Sequence, residues 1–175
     1  DDPQEGGREE RLGGGRERPD PVKTCYTLSL NTSDVMAKRA SEARHTLLKT
    51  KLGGGIADAE RMRAIRAARP DARLFADANE AWRPDELEML LAVAAETRFE
   101  LVEQPLPAGN DAALAQVKRS TPICADESAH TLEGLAALRD RYDAVNIKLD
   151  KTGSLTGALA MSAEVERLGF KIMVG

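Results

Sequence analysis

An α/β architecture, a parallel (β/α) barrel left incomplete at about seven strands, is the expectation for this chain, and three features carry it. Short apolar or β-branched runs alternate with amphipathic windows from Pro21 to the end, and such alternation demands a parallel sheet, either closed as a barrel or open and doubly wound. A charged residue ends five successive runs: Lys51 in LLKTKLGGG, Asp77 in LFADANEAW, Glu103 in FELVEQPLP, Asp126 in PICADES and Lys148 in AVNIKLDKTGS. Their spacing of 22 to 26 residues leaves room for one helix each time. Charges in strands are costly unless they meet a metal or each other, so one polar group per strand end describes a single ring-shaped site.

The elements follow in order. Strands are expected at Thr24–Leu30, Thr46–Leu52, Leu74–Asp77, Leu101–Glu103, Ile123–Asp126, Ala144–Leu149 and Lys171–Val174. The spacing predicts helices from Ser33 to about Ala43 and from Ile56 to Arg69, the latter stopped by Pro70. Leu87, Leu90, Leu91 and Ala94 form a 3.6-period stripe behind Pro84. Asp111–Lys118 reads as a short helix. Thr131 is placed to cap a helix burying Leu132, Leu135 and Leu138, and Leu155, Leu159, Ser162, Val165 and Leu168 line a last helix ending at Gly169.

Composition narrows the function. The 175 residues carry a net charge of −4 with no basic cluster, which argues against nucleic acid or an anionic membrane as partner. No apolar run approaches the roughly 18 residues of a membrane span, and a cytoplasmic location is expected. Cys25 and Cys124 fall in expected strands without zinc or redox spacing and read as reduced core residues. Residues 1–20 hold five Gly, seven acids and four Arg, with Leu12 the one large aliphatic, and are expected to be a disordered tail ahead of a catalytic domain over 21–175. A complete eight-stranded barrel needs about 250 residues, so the chain reads as a fragment.

Residues two apart in a strand share a face, which groups Lys49 with Lys51, Asp77 with Asn79 and Asn146 with Lys148. Two adjacent ammoniums disfavour each other's charge, the direction a lysine base needs near neutral pH. Asp77, Glu103 and Asp126 offer hard oxygen ligands without His or Cys, so the implied ion is Mg²⁺, with Mn²⁺ as substitute. Any one of these acids is as readily a helix cap or salt-bridge partner; the argument lies in three on consecutive strands. Lys51 and Lys148 are expected on opposite sides of the site, where one amine removes a proton from a carbon and the other returns it. Acid/base catalysis supplies about 10²–10⁴-fold, so loss of a proton next to a carboxylate needs Lewis-acid help with the enediolate.

Taken together, KTK, DAN, VEQP, ADES and NIKLDKTG resemble the muconate-lactonising subgroup of the enolase superfamily, most closely its dipeptide epimerases of the L-Ala-D/L-Glu type. The resemblance covers Pro21 to Gly175 and implies Lys51 and Lys148 as the acid/base pair, with Lys49 in support. It also implies Asp77, Glu103 and Asp126 as Mg²⁺ ligands, Asn79 and Glu127 around them, Thr27 at the substrate, and a small-molecule dipeptide as ligand, with a homo-oligomer compatible. The family's capping domain and eighth strand have no match here. Ser154 stands where a second glycine is usual, and is tolerable as a helix start. Two other readings stay open: a different reaction of the subgroup (cycloisomerisation, N-acylamino-acid racemisation or o-succinylbenzoate synthesis), and an inactive homologue that binds only metal or another chain. His45 and His130 receive no role, Gly53–Gly55 reads as a flexible loop, and Trp82 as either a shield over the site or a packing residue.

Overall fold

Period-two burial builds the sheet. In the computed structural model, which describes residues 22–175, seven strands form: β1 (Tyr26–Leu28), β2 (Leu47–Lys51), β3 (Arg73–Asp77), β4 (Phe99–Glu103), β5 (Ile123–Ala125), β6 (Ala144–Ile147) and β7 (Lys171–Val174). All pair in parallel and in chain order, with β1 and β7 at the edges. The result is an open half-barrel. The tail expected over 1–20 lies outside the described residues.

Alternate residues serve two cores. Leu28, Leu48, Leu74, Ala76, Val102, Ile123 and Val145 join the main core with the helices, while Leu101, Cys124 and Ala144, backed by Phe75 and Met173, form a smaller inner cluster. A hollow of about 680 Å³ lies beside this cluster at the N-terminal end of the strands, lined among others by Leu47, Phe75, Ala144 and Ile172. The charged strand ends lie at the other end of the sheet.

The helices are α1 (Ser33–Glu42), α2 (Ala57–Ala68), α3 (Leu87–Glu96), the single turn α4 (Leu149–Thr152) and α5 (Leu155–Arg167). Each long one buries one stripe: Met36 and Ala40 on α1, Ala59, Met62 and Ile65 on α2, and the expected Leu87, Leu90, Leu91 and Ala94 on α3. Ser154 caps α5, its Oγ accepting from the Gly157 amide at 3.0 Å. The helix gives way to Gly169 at φ +76°, where any side chain would be strained.

Three local expectations are corrected. Asp111–Lys118 shortens to a 3₁₀ turn, Ala112–Ala115, in which Leu114 alone is buried, too little apolar anchorage for a longer helix. The helix from Thr131 shrinks to a 3₁₀ turn at Leu135–Leu138, whose three-residue spacing seats Leu135 and Leu138 and leaves Leu132 41% exposed. On α5 the buried side carries Met161 and Val165, with Ala158 and Leu168 packed beside them, while Leu155 and Leu159 face outward. Both stripes exist in the sequence, and packing on the sheet selects one.

Asp58 explains two further differences. Fully buried, it accepts from Trp82 Nε1 at 2.8 Å, from the amides of Gly53 and Gly54 at 3.2–3.4 Å, and from Arg61 at 2.8 Å. The glycine loop after β2 is therefore pinned, and Trp82, 2% exposed, is a core residue tied to α2. His45 stacks on Tyr26 with ring centroids 4.8 Å apart. Cys25 is half-buried just before β1 and Cys124 is buried in β5, both as free thiols.

Behind the sheet, Asp111 accepts from the hydroxyls of Ser128 and Tyr142, both at 2.6 Å, and pairs with Arg141. Burial acts to raise its pKa, but these hydrogen bonds and the Arg141 charge outweigh burial and hold the carboxyl below the usual range.

Replacing Asp58 by Leu strands the Trp82 N–H and the Arg61 charge and should cost about 3–5 kcal/mol in urea unfolding. Asp85→Ala, in an exposed pair with Arg83, should leave the urea midpoint unmoved. Because the folded pKa of Asp111 is depressed, its contribution is whole above the unfolded value of about 3.9 and is lost as pH falls through the folded one. Asp111→Asn should therefore flatten the acid limb of a plot of urea midpoint against pH.

Candidate active site

The parallel ladder aligns the charged residues. Lys51 stands opposite Asp77, and Asp77 opposite Glu103. Cys124 pairs with Glu103 and with Ala144, which brings Asp126, Asn146 and Lys148 to the same end of the sheet. Thr27 is the register partner of Lys49, so it shares the inner face with the lysines and is exposed there. The backbone turns sharply just past the acids: Asn79 and Glu80 have φ of +47° and +65°, and Gln104 has +36°. Positive φ is uncommon in residues other than glycine and tends to occur at functional sites.

Ion pairs hold the acids. Asp77 and Glu103 are each 1% exposed, and Lys49 bridges them, its Nζ 2.9 Å from Asp77 Oδ2 and 2.6 Å from Glu103 Oε2. The contact with Glu103 Oε2 is close but lacks hydrogen-bonding angles, while Oε1 accepts from Asn146 Nδ2 at 2.7 Å. Lys51 reaches the same Asp77 oxygen at 2.7 Å. Asp126 is held by two ammoniums, Lys148 on Oδ2 at 2.5 Å and Lys151 on Oδ1 at 2.9 Å.

The electrostatics follow from this crowding. Burial, then repulsion from Asp77, raises the Glu103 pKa despite Lys49. Burial alone would depress the Lys49 ammonium, but Glu103 and Asp77 outweigh it and push the pKa above the lysine range. Lys148 is raised too, the hydrogen bond and charge of Asp126 prevailing over burial. On Asp126 the hydrogen bonds and charges of Lys148 and Lys151 outweigh burial and lower the pKa. Glu127 is raised, by burial first and then by Asp126, Asp77 and Glu80, and its Oε2 is buried without a hydrogen-bond partner.

Asp77, Glu103 and Asp126 suit Mg²⁺ in donor chemistry and in sharing one end of the sheet. Among the described residues no close group of three acidic, His or Cys side chains is already formed for an ion; the three acids stand at the ends of adjacent strands, each drawn to an ammonium. Lysines neutralise these acids instead. Asn79 meets Asp77 through its backbone amide, which donates to Oδ1 at 3.1 Å, while its side chain is exposed. Sequence reasoning passed over Lys151. Its signal was the three-residue step from Lys148, which the turn of α4 folds back onto Asp126.

Comparison with known proteins gives the family. A family model described as enolase C-terminal domain-like matches residues 33–175. The L-Ala-D/L-Glu epimerase of Escherichia coli (strain K12) is 49% identical over 160 residues, covering 90% of this chain and 50% of the relative. A solved enolase family member from Agrobacterium tumefaciens, described as homologous to dipeptide epimerases and holding sodium and L-Ala-L-Glu, superposes with a TM-score of 0.85. It is 57% identical over 88% of this chain and 47% of that one. The dipeptide epimerase of Enterococcus faecalis V583, solved with Mg and L-Leu-L-Tyr, gives a TM-score of 0.82 at 36% identity, over 88% and 46% of the two chains. This chain spans about half the length of the relatives it matches. With these identities and a family match across most of its length, the chain belongs to the enolase superfamily, in its muconate-lactonising subgroup and close to the L-Ala-D/L-Glu epimerases.

Proposed function

We propose that this chain carries the acid/base and cation-holding groups of a Mg²⁺-dependent epimerase acting on a dipeptide of the L-Ala-D/L-Glu kind. The observation that carries the reading is the placement of Lys51 on β2 and Lys148 just past β6, on either side of acids that end β3 and β4 and follow β5. Accessibility separates the four lysines. Lys51 and Lys148 are 35% and 29% exposed, Lys49 and Lys151 11% and 9%. The first two can meet a substrate, and the other two are sealed against carboxylates.

On this reading Lys51 takes the proton from the carbon beside the terminal carboxylate and Lys148 delivers one to the opposite face; in the reverse direction the roles exchange. Asp77, Glu103 and Asp126 would hold Mg²⁺, which when bound draws charge from the substrate carboxylate and acidifies the neighbouring C–H. Lys49 keeps Asp77 and Glu103 from repelling each other, and Lys151 fixes Asp126. Thr27, beside Lys49 on the inner face, is placed to touch the dipeptide. The presence of dipeptide ligands and cations in the related solved structures supports the substrate class. Among the described residues no helix is long and apolar enough to cross a membrane.

Incubated with the protein and Mg²⁺ in D₂O, L-Ala-L-Glu should gain deuterium at its glutamyl α-carbon and be converted to L-Ala-D-Glu, read by NMR and chiral chromatography. Lys51→Ala and Lys148→Ala should each lower inversion by about 10²-fold or more; full inversion by either variant rules out two lysines. Lys49→Met should act on stability: two buried carboxylates lose their shared counter-ion, a loss of about 3–5 kcal/mol at pH 7 in urea unfolding. The penalty should shrink as pH is lowered, because Glu103, its pKa raised by burial and by Asp77, takes up a proton before an ordinary glutamate does and stops repelling Asp77.

A further inference from the structure

We propose that Gln104 is a positioning residue: its one buried carboxamide ties the end of β4 to the turn carrying Asp126 and so sets where that carboxylate stands. The residue follows Glu103 directly and is fully buried. Its Oε1 accepts from the Asp126 amide at 2.9 Å and the Ser128 amide at 3.1 Å. Its Nε2 donates to Leu106 O and Ser128 Oγ, both at 2.8 Å, and to Tyr142 OH at 3.0 Å. A carboxamide has two donor hydrogens and two acceptor lone pairs, so the two hydrogens are shared among three acceptors and no donor or acceptor is left over.

The backbone of the same residue completes the link. Its N–H donates to Cys124 O at 2.9 Å, and its carbonyl accepts from the Glu80 amide at 2.8 Å. Gln104 therefore joins the segments just past Asp77, Glu103 and Asp126. The orientation of the amide is set from behind: the Ser128 and Tyr142 hydroxyls give their protons to Asp111, which leaves their oxygens as acceptors for an NH₂ group and turns the amide oxygen toward the β5 turn.

One feature separates this role from ordinary packing. Gln104 holds φ +36°, a conformation glycine adopts without steric cost. If backbone geometry were all that mattered, glycine would serve better; glutamine at this position points to the side chain.

The functional consequence rests on the reading of Asp77, Glu103 and Asp126 as cation ligands, so the test has two arms. The first is amide hydrogen exchange by NMR on Gln104→Gly, with Gln104→Met, of similar volume, as second variant if the glycine variant does not fold. The Asp126 and Ser128 amides should exchange about tenfold faster, the loss of one hydrogen bond, while those of Val102 and Val145 in the strands stay protected. The second arm is Mn²⁺ affinity by electron paramagnetic resonance, expected to fall about 10–100-fold. Unchanged exchange at Asp126 and Ser128 in a folded variant overturns the proposal. Wild-type protein that binds no Mn²⁺ overturns the cation reading instead, and the exchange arm still decides the role of Gln104.

Discussion

Carboxylates buried side by side repel each other, and the C-terminal end of this sheet is organised around that repulsion. Two unit charges 4 Å apart interact by about 4 kcal/mol at an effective dielectric constant of 20. Asp77 and Glu103, neighbours in the ladder and almost without solvent, would not remain ionised together unaided. Lys49 between them, Asn146 on Glu103, and Lys148 with Lys151 on Asp126 are the compensation. Parallel strands make this concentration possible, because each crossover helix returns the next strand with its C-terminal end on the same side.

Backbone geometry bears the cost of holding these groups. Just past Asp77 and Glu103 the chain enters left-handed conformations at Asn79, Glu80 and Gln104, none of them glycine. Backbone hydrogen bonds extend the ladder beyond the strands, from Ala78 N to Glu103 O, Gln104 N to Cys124 O and Trp82 N to Pro105 O. The strand ends are thereby fixed to one another and not only to their helices. Asp58 does the same for the loop after β2.

What could be read from residues alone was whatever repeats. All seven strands, the four long helices and a charged residue at or just past the end of five strands follow from period two, period 3.6 and a near-constant spacing, and the structure has each of these elements. The 3₁₀ turns at Ala112–Ala115 and Leu135–Leu138 were overestimated because a few apolar residues in a short window do not show how little partner surface awaits them. The exposed turn of α5 was misassigned because two apolar stripes compete on one helix. Asp58 and Gln104 were missed for a different reason: beside short-range contacts, each bonds partners 24 residues away or more, at Trp82, Ser128 and Tyr142, and no local pattern marks such a bond. The acids were legible as a set, but their pairing with ammoniums was not, since spacing places a lysine on a face without saying which oxygen it meets.

That pairing also distinguishes the four lysines by a simple count. An ammonium has three donor hydrogens. Lys151 directs them to Asp126 Oδ1, Asp126 O and Asn146 O, at 2.8–2.9 Å, and has nothing left to offer a ligand. Lys49 is committed to two carboxylates at once. Lys51 and Lys148 each meet a single carboxylate oxygen, which leaves donors to spare on amines that also reach solvent. On the proposed reading each side of the site therefore divides its work between two lysines, one held in place to neutralise an acid and one able to move a proton. The motif KTK achieves this with the two-residue repeat of a strand and KLDK with the three-residue return of a turn, so two different local geometries produce the same division.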